Sequence, residues 1–158
     1  DVLMVEHENY ELKNFSKELG ILCEGEAIGE IVGGNLATLI ATLGTEYDLD
    51  YEGKILFLEE IGEPTYKIDR MLNQLKKFKV FEKVSGVILG DFRNCPPASE
   101  EDMPLLDVFK DYFLGINKPV VYNFETGHSE PMLTLPLGAK ARLNTSEKRI
   151  TILERVVR

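Results

Sequence analysis

Long apolar runs are missing from this sequence. None exceeds five residues, as in Gly86-Val87-Ile88-Leu89-Gly90, whereas a membrane-spanning helix needs roughly 20. Cysteine is scarce. Cys23 and Cys95 cannot by themselves build a disulfide framework or a thiolate metal site, and two isolated cysteines suit a reducing compartment. Basic residues are in deficit, with 18 Lys+Arg against 27 Asp+Glu and a net charge of −9. That sign disfavours nucleic acid, whose affinity rests on neutralised phosphates, and anionic membrane surfaces, so neither is expected as a partner. Lys76, Lys77 and Lys79 form the one basic cluster and suit a solvated helix face. No apolar signal-peptide core opens the chain, because its first residues mix charge with apolar character. It begins at Asp1 rather than Met, as an excised or processed piece would. No G-x-S-x-G elbow surrounds any serine (16, 85, 99, 129 or 146).

What is present is an ordinary globular composition. The 158 residues are 44% apolar and 28% charged, without repeats or low-complexity tracts, which suits one domain with one core. Val2-Leu3-Met4-Val5 reads as a strand, and His7 to Leu22 is acidic and only loosely periodic. Ala27 to Val32 reads as a strand ending in Gly33-Gly34. Asn35 is placed to cap a helix over Leu36 to Leu43, which Gly44 stops. Lys54 to Leu58 reads as a buried parallel strand. Pro64 then opens a helix whose apolar stripe is Ile68, Met71, Leu72, Leu75 and Phe78. Val84 to Leu89 is a further buried strand. Ser99 to Asp102 resembles a capping box before a helix bearing Leu105, Leu106, Phe109, Tyr112 and Phe113. Lys118 to Tyr122 is a strand, and Met132 to Leu135, Ala139 to Leu143 and Arg149 to Leu153 read as a meander of short strands. Strand–helix repeated three times implies a parallel sheet with right-handed crossovers. The tail adds an antiparallel layer, and the expected class is α/β.

Three places can carry chemistry. Gly33-Gly34-Asn35-Leu36 leads into a helix N-terminus, where free N–H groups bind anions. A tight strand-to-helix turn is the plainer account. Glu59-Glu60 closes the apolar strand at the edge where parallel sheets gather their ligands. Alternation sends the two carboxylates to opposite faces, so at most one enters a given site, and a solvated strand end is the plainer account. Gly127-His128-Ser129-Glu130-Pro131 offers a histidine able to act as a base near neutral pH. A carboxylate at the sheet edge and this histidine could form a base–orienter pair. Ser129 adjoins His128 and is poorly placed to be its nucleophile.

Five motifs in this order resemble the C-terminal domain of the serine LD-carboxypeptidases, the muramoyltetrapeptide carboxypeptidases, with the microcin-immunity peptidases as a sister branch. They are Gly33-Gly34-Asn35-Leu36, Ile55 to Ile61, Tyr66-x-Ile68-Asp69-Arg70, Gly86 to Gly90, and Gly127 to Pro131 followed by Leu135-Pro136-Leu137-Gly138. The resemblance covers roughly residues 27 to 154. It implies a swivelling β/β/α-type domain over 27–158, with a mainly parallel sheet, crossover helices and a C-terminal antiparallel hairpin layer. Residues 1–26 would then be an interdomain segment. It also implies a cytoplasmic enzyme of cell-wall recycling that removes the terminal D-alanine of murein tetrapeptides with a Ser-His-Glu triad, with neither metal nor cofactor. Carried over position by position, the family glutamate is Glu59 and the family histidine is His128. The family's nucleophilic serine lies on an N-terminal domain that would be this chain's partner. Most relatives have Asp where this chain has Glu60. Gly34 and Asn35 are the substrate-binding candidates, and a homodimer is a further expectation.

The resemblance leaves the substrate open between a murein tetrapeptide and a microcin-like peptide. A reading from another class, a non-catalytic interaction or dimerisation module, expects Glu59 and His128 far apart or tied up in structural contacts. Without its nucleophile domain, this chain is expected to fold and to hydrolyse nothing.

Overall fold

A computed structural model of the chain describes residues 9–128 and 130–156. Two edge strands come first, β1 (Tyr10–Leu12) and β2 (Gly20–Cys23). The unit that follows is β3 (Glu26–Asn35), α1 (Leu36–Thr42), β4 (Ile55–Ile61), α2 (Thr65–Lys77), α3 (Val80–Lys83), β5 (Gly86–Arg93), α4 (Leu105–Phe113) and β6 (Val120–Tyr122). A hairpin of β7 (Lys140–Asn144) and β8 (Arg149–Ile152) ends the fold. Among the described residues these strands make one eight-stranded sheet in the order β1-β8-β7-β3-β4-β5-β6-β2. The centre β3-β4-β5-β6 is parallel and both flanks are antiparallel. No helix among the described residues is long and apolar enough to cross a membrane.

Side-chain alternation along the parallel strands divides the core in two. Leu56, Leu58, Val87, Leu89 and Val120 face the helices. There α2 buries Ile68, Leu72 and Leu75, the stripe visible in its sequence. Each such side chain contributes about 1.5–3 kcal/mol when fully buried. Ile55, Phe57, Ile88 and Val121 face the other way and cluster with Leu143, Ile150 and Ile152, so the antiparallel strands curl over that face. The result is the expected mixed α/β arrangement, with a mainly parallel centre and an antiparallel layer.

The differences from the sequence reading have local causes. Strand β3 does not stop at Val32 but runs through Gly33 and Gly34 to Asn35. Gly33 has φ +124°, and a Cβ there would lie 2.0 Å from the Phe57 carbonyl oxygen, so only glycine lets β3 stay paired with β4 to its end. Residues 10–23 supply both edge strands of the sheet, paired with β8 and β6. Met132 to Leu135 forms no strand. Leu133 is instead bound to the preceding loop, its N–H donating to the Glu125 carbonyl and its carbonyl accepting from the Thr126 hydroxyl at 2.7 Å. Pro104 stands at the N-cap position of α4 with no side-chain cap hydrogen bond, and Asp102 of the expected capping box instead accepts the N–H groups of Ala98 and Ser99 before the helix. The strand read at Val2–Val5, His7 and Ser129 lie outside the described residues.

Candidate active site

The C-terminal edge of the parallel strands gathers three buried carboxylates, Glu59, Glu60 and Glu125. A carboxylate removed from water must be paired or hydrogen-bonded, so each of the three is defined by its partners.

Glu59 and Glu60 extend β4 beyond its apolar run, and alternation separates them. Glu60 follows Leu56 and Leu58 onto the helical face. There it accepts the Ala37 N–H and the Asn35 side-chain amide, each at 2.8 Å, and its own neighbour's N–H, from Ile61, at 2.9 Å. The first turn of α1 holds no acidic residue of its own. Glu60 brings a negative charge to that turn from the adjacent strand, where the helix dipole favours it. Asn35 completes the cap, its Oδ1 accepting the Thr38 N–H at 3.1 Å. Neither carboxylate is a solvated strand end.

Glu59 follows Ile55 and Phe57 onto the opposite face and meets His128. Its Oε2 lies 2.7 Å from His128 Nδ1. The Glu59 side chain is 8% exposed and that of His128 is 44% exposed. An ionised carboxylate only accepts, so paired with ionised Glu59 the ring donates through Nδ1 and leaves Nε2 as the nitrogen that can take a proton. The imidazole is thus held by a buried partner while its side chain stays half-exposed, an arrangement that suits a general base.

The loop after β6 delivers the histidine. It stays on the end of β5, with the Phe124 N–H donating to the Leu89 carbonyl at 3.2 Å and the Asp91 N–H to the Thr126 carbonyl at 2.9 Å. Gly127 then crosses directly over Glu59, where a Cβ would fall 2.9 Å from both Glu59 Cβ and Oε2. Arg93, at the end of β5, donates to the His128 carbonyl at 2.8 Å.

Glu125 points away from this pair and accepts from the segment between β1 and β2. Its partners are the N–H groups of Phe15, Ser16 and Lys17 and the Ser16 hydroxyl. Burial works against the ionised form, but the Ser16 hydroxyl and the N–H groups of Lys17, Phe15 and Ser16 outweigh it and hold the group down at about 2. Neither Glu125 nor Arg93 stands out in the sequence. The available signal was only a carboxylate three residues before His128 and a cation at a strand end.

Beside Glu60 an open cleft of about 260 Å³ is lined by Gly34, Asn35, Thr38 and Tyr47, among others. Gly34 faces open space, and Asn35 stands opposite Glu59 in the β3–β4 register. Among the described residues no group of three His, Cys, Asp or Glu is placed to hold a metal ion.

Comparison with known proteins adds to this geometry. The model for the LD-carboxypeptidase C-terminal domain matches residues 28–143. The chain is similar to the "Probable murein peptide carboxypeptidase" of Bacillus subtilis (strain 168), with 44% identity over 142 residues, 87% of this chain and 44% of that protein. It is 37% identical over 131 residues to the Microcin C7 self-immunity protein MccF of Escherichia coli, covering 82% of this chain and 38% of that one. The solved structure of MccF in complex with glutamyl sulfamoyl guanosine superposes with a TM-score of 0.86 at 26% identity, over 98% of this chain and 52% of that chain. The chain therefore spans about half, or less, of the relatives it matches.

Proposed function

The chain belongs to the LD-carboxypeptidase family, and from that premise we propose that it is the C-terminal catalytic half, residues 27–158, of a serine peptidase of cytoplasmic cell-wall recycling. The enzyme removes the terminal D-alanine of a murein tetrapeptide by hydrolysing the bond between an L-centre and that residue. The observation that carries this reading is the 2.7 Å contact between His128 Nδ1 and Glu59 Oε2, made by a buried carboxylate to a half-exposed imidazole. The nucleophilic serine and the oxyanion donors come from an N-terminal domain.

In this reading each group has its own step. The serine oxygen bonds to the scissile carbonyl carbon while His128 Nε2 takes its proton. Glu59 holds the Nδ1–H tautomer and stabilises the imidazolium that forms. Collapse of the tetrahedral species breaks the C–N bond, and His128 returns the proton to the departing D-alanine amine. Water then repeats the sequence on the acyl-enzyme. Gly34 and Asn35, which line the cleft on the helical face and pair in register with Leu58 and Glu59 at the end of β4, are the substrate-binding candidates. No metal or cofactor takes part.

Cleavage of a microcin-like peptide is a second reading of the same machinery, favoured by the close superposition on MccF. The experiment is a substrate panel on the protein that joins this chain to its nucleophile domain. We expect D-alanine release from murein tetrapeptide to exceed cleavage of an aminoacyl sulfamoyl nucleotide, and His128→Ala to abolish it. The reverse preference assigns the immunity activity. Undiminished turnover by His128→Ala removes the catalytic reading altogether and leaves a binding or dimerisation module.

A further inference from the structure

Glu125 is a buried carboxylate with no place in the proton transfers above, and its surroundings are costly to assemble. It is 1% exposed, and a buried carboxylate needs several donors to remain stable. Those donors are gathered from Phe15, Ser16 and Lys17, which lie 108–110 residues away in the chain. Asn14 closes the junction from the other side. Its Oδ1 accepts the Glu125 N–H at 3.0 Å, and its Nδ2 donates to the Asn123 carbonyl at 2.7 Å and to the Lys17 carbonyl at 3.0 Å. Lys17 adds a 2.9 Å ion pair to Asp91, and the Asp91 N–H donates to the Thr126 carbonyl at 2.9 Å. The loop is thereby held at Asn123, Glu125 and Thr126, immediately before Gly127 crosses Glu59.

We propose that Glu125 is a positioning residue for His128: by locking the 14–17 segment against the 123–126 loop, it fixes the height at which the loop carries the imidazole over Glu59. The inference rests on the catalytic roles proposed for those two residues. The geometry favours this over simple anchoring of the β1–β2 connection, because the clamp grips the backbone on both sides of Glu125 and ends two residues short of the histidine. A loop released at this point would keep the sheet and lose the register of Gly127 on Glu59. Misplacing a base by about 1 Å costs on the order of 100-fold in rate.

The test is a double-mutant cycle in the two-domain enzyme, using Glu125→Gln, Glu59→Gln and the pair, with kcat and KM measured on murein tetrapeptide. Glu125→Gln is expected to lower kcat by roughly 10- to 100-fold with KM within about 3-fold. In the Glu59→Gln background the same change is expected to have almost no effect, because the contact it protects is already lost. Equal losses in both backgrounds, or unchanged kcat in the single variant, would overturn the proposal. If Glu59→Gln alone leaves turnover intact, the catalytic reading itself fails, which is a separate outcome. Should Glu125→Gln not fold, Ser16→Ala removes one donor and leaves the carboxylate. It should lower kcat in the same non-additive way, and an additive effect refutes the positioning role.

Discussion

Glu59 and Glu60 are neighbours in β4 and end on opposite faces of the sheet, one on His128 Nδ1 at 2.7 Å and the other on the Ala37 N–H at 2.8 Å. A single strand end thus supplies the orienting carboxylate of the proposed catalytic pair and the anionic cap of the neighbouring helix. The two roles cannot be exchanged without shifting the strand by one residue.

The pair predicts a sharp contrast between isosteric changes. In the two-domain enzyme, Glu59→Gln should lower D-alanine release by about 10⁴-fold, the loss seen when an orienting carboxylate becomes an amide in a worked triad. Glu60→Gln should cost about 1 kcal/mol of stability through the α1 terminus and leave turnover within about tenfold of the parent. Thermal unfolding and a D-alanine assay on both variants check this. Similar losses, or the reverse order, would count against the assignment.

Gly127→Ala should disable the site without touching either ionisable group. Its φ of +106° is strained for any residue with a Cβ, and that Cβ would sit 2.9 Å from Glu59 Cβ. The loop must lift, carrying His128 with it. We expect turnover to fall by about 100-fold and stability by about 1–3 kcal/mol. Steady-state kinetics at a temperature where the variant is folded separates the two, and parent-like kcat would show that the loop height does not matter.

The legible parts of this fold were those written in short-range patterns. The run Ile55 to Leu58, the stripe on α2 and the Gly33-Gly34-Asn35 cap each depend on residues close in sequence. Alternation alone was enough to separate Glu59 from Glu60. The choice of Glu59 and His128 as a pair came from the family resemblance, because nothing local links positions 69 residues apart. Strands β1 and β2 escape a local reading because their pattern is completed by β8 and β6, 97 to 142 residues downstream. Glu125 was invisible for the same reason, since its partners lie at the far end of the chain.

Acid stability should report on Glu125. Its carboxyl lies well below the ordinary 4.5, at about 2, because the Ser16 hydroxyl and three backbone N–H groups outweigh the cost of burial. A lowered folded-state value means the group stabilises the fold fully above about pH 4.5 and that this contribution is lost as pH falls toward about 2. The stability gap between the parent and Glu125→Gln should therefore be constant near neutrality and shrink across that window. Denaturant titrations at several pH values measure it, and a gap that widens with acid would contradict the clamp.

In the proposed division of labour this chain supplies the base and its orienter, and the N-terminal domain supplies the nucleophile. The most direct measurement is release of D-alanine from a murein tetrapeptide by the purified chain, with and without an added N-terminal domain. We predict a folded protein with no turnover alone, and turnover on adding that domain that His128→Ala eliminates. Serine-dependent turnover by the chain by itself would contradict the two-domain account.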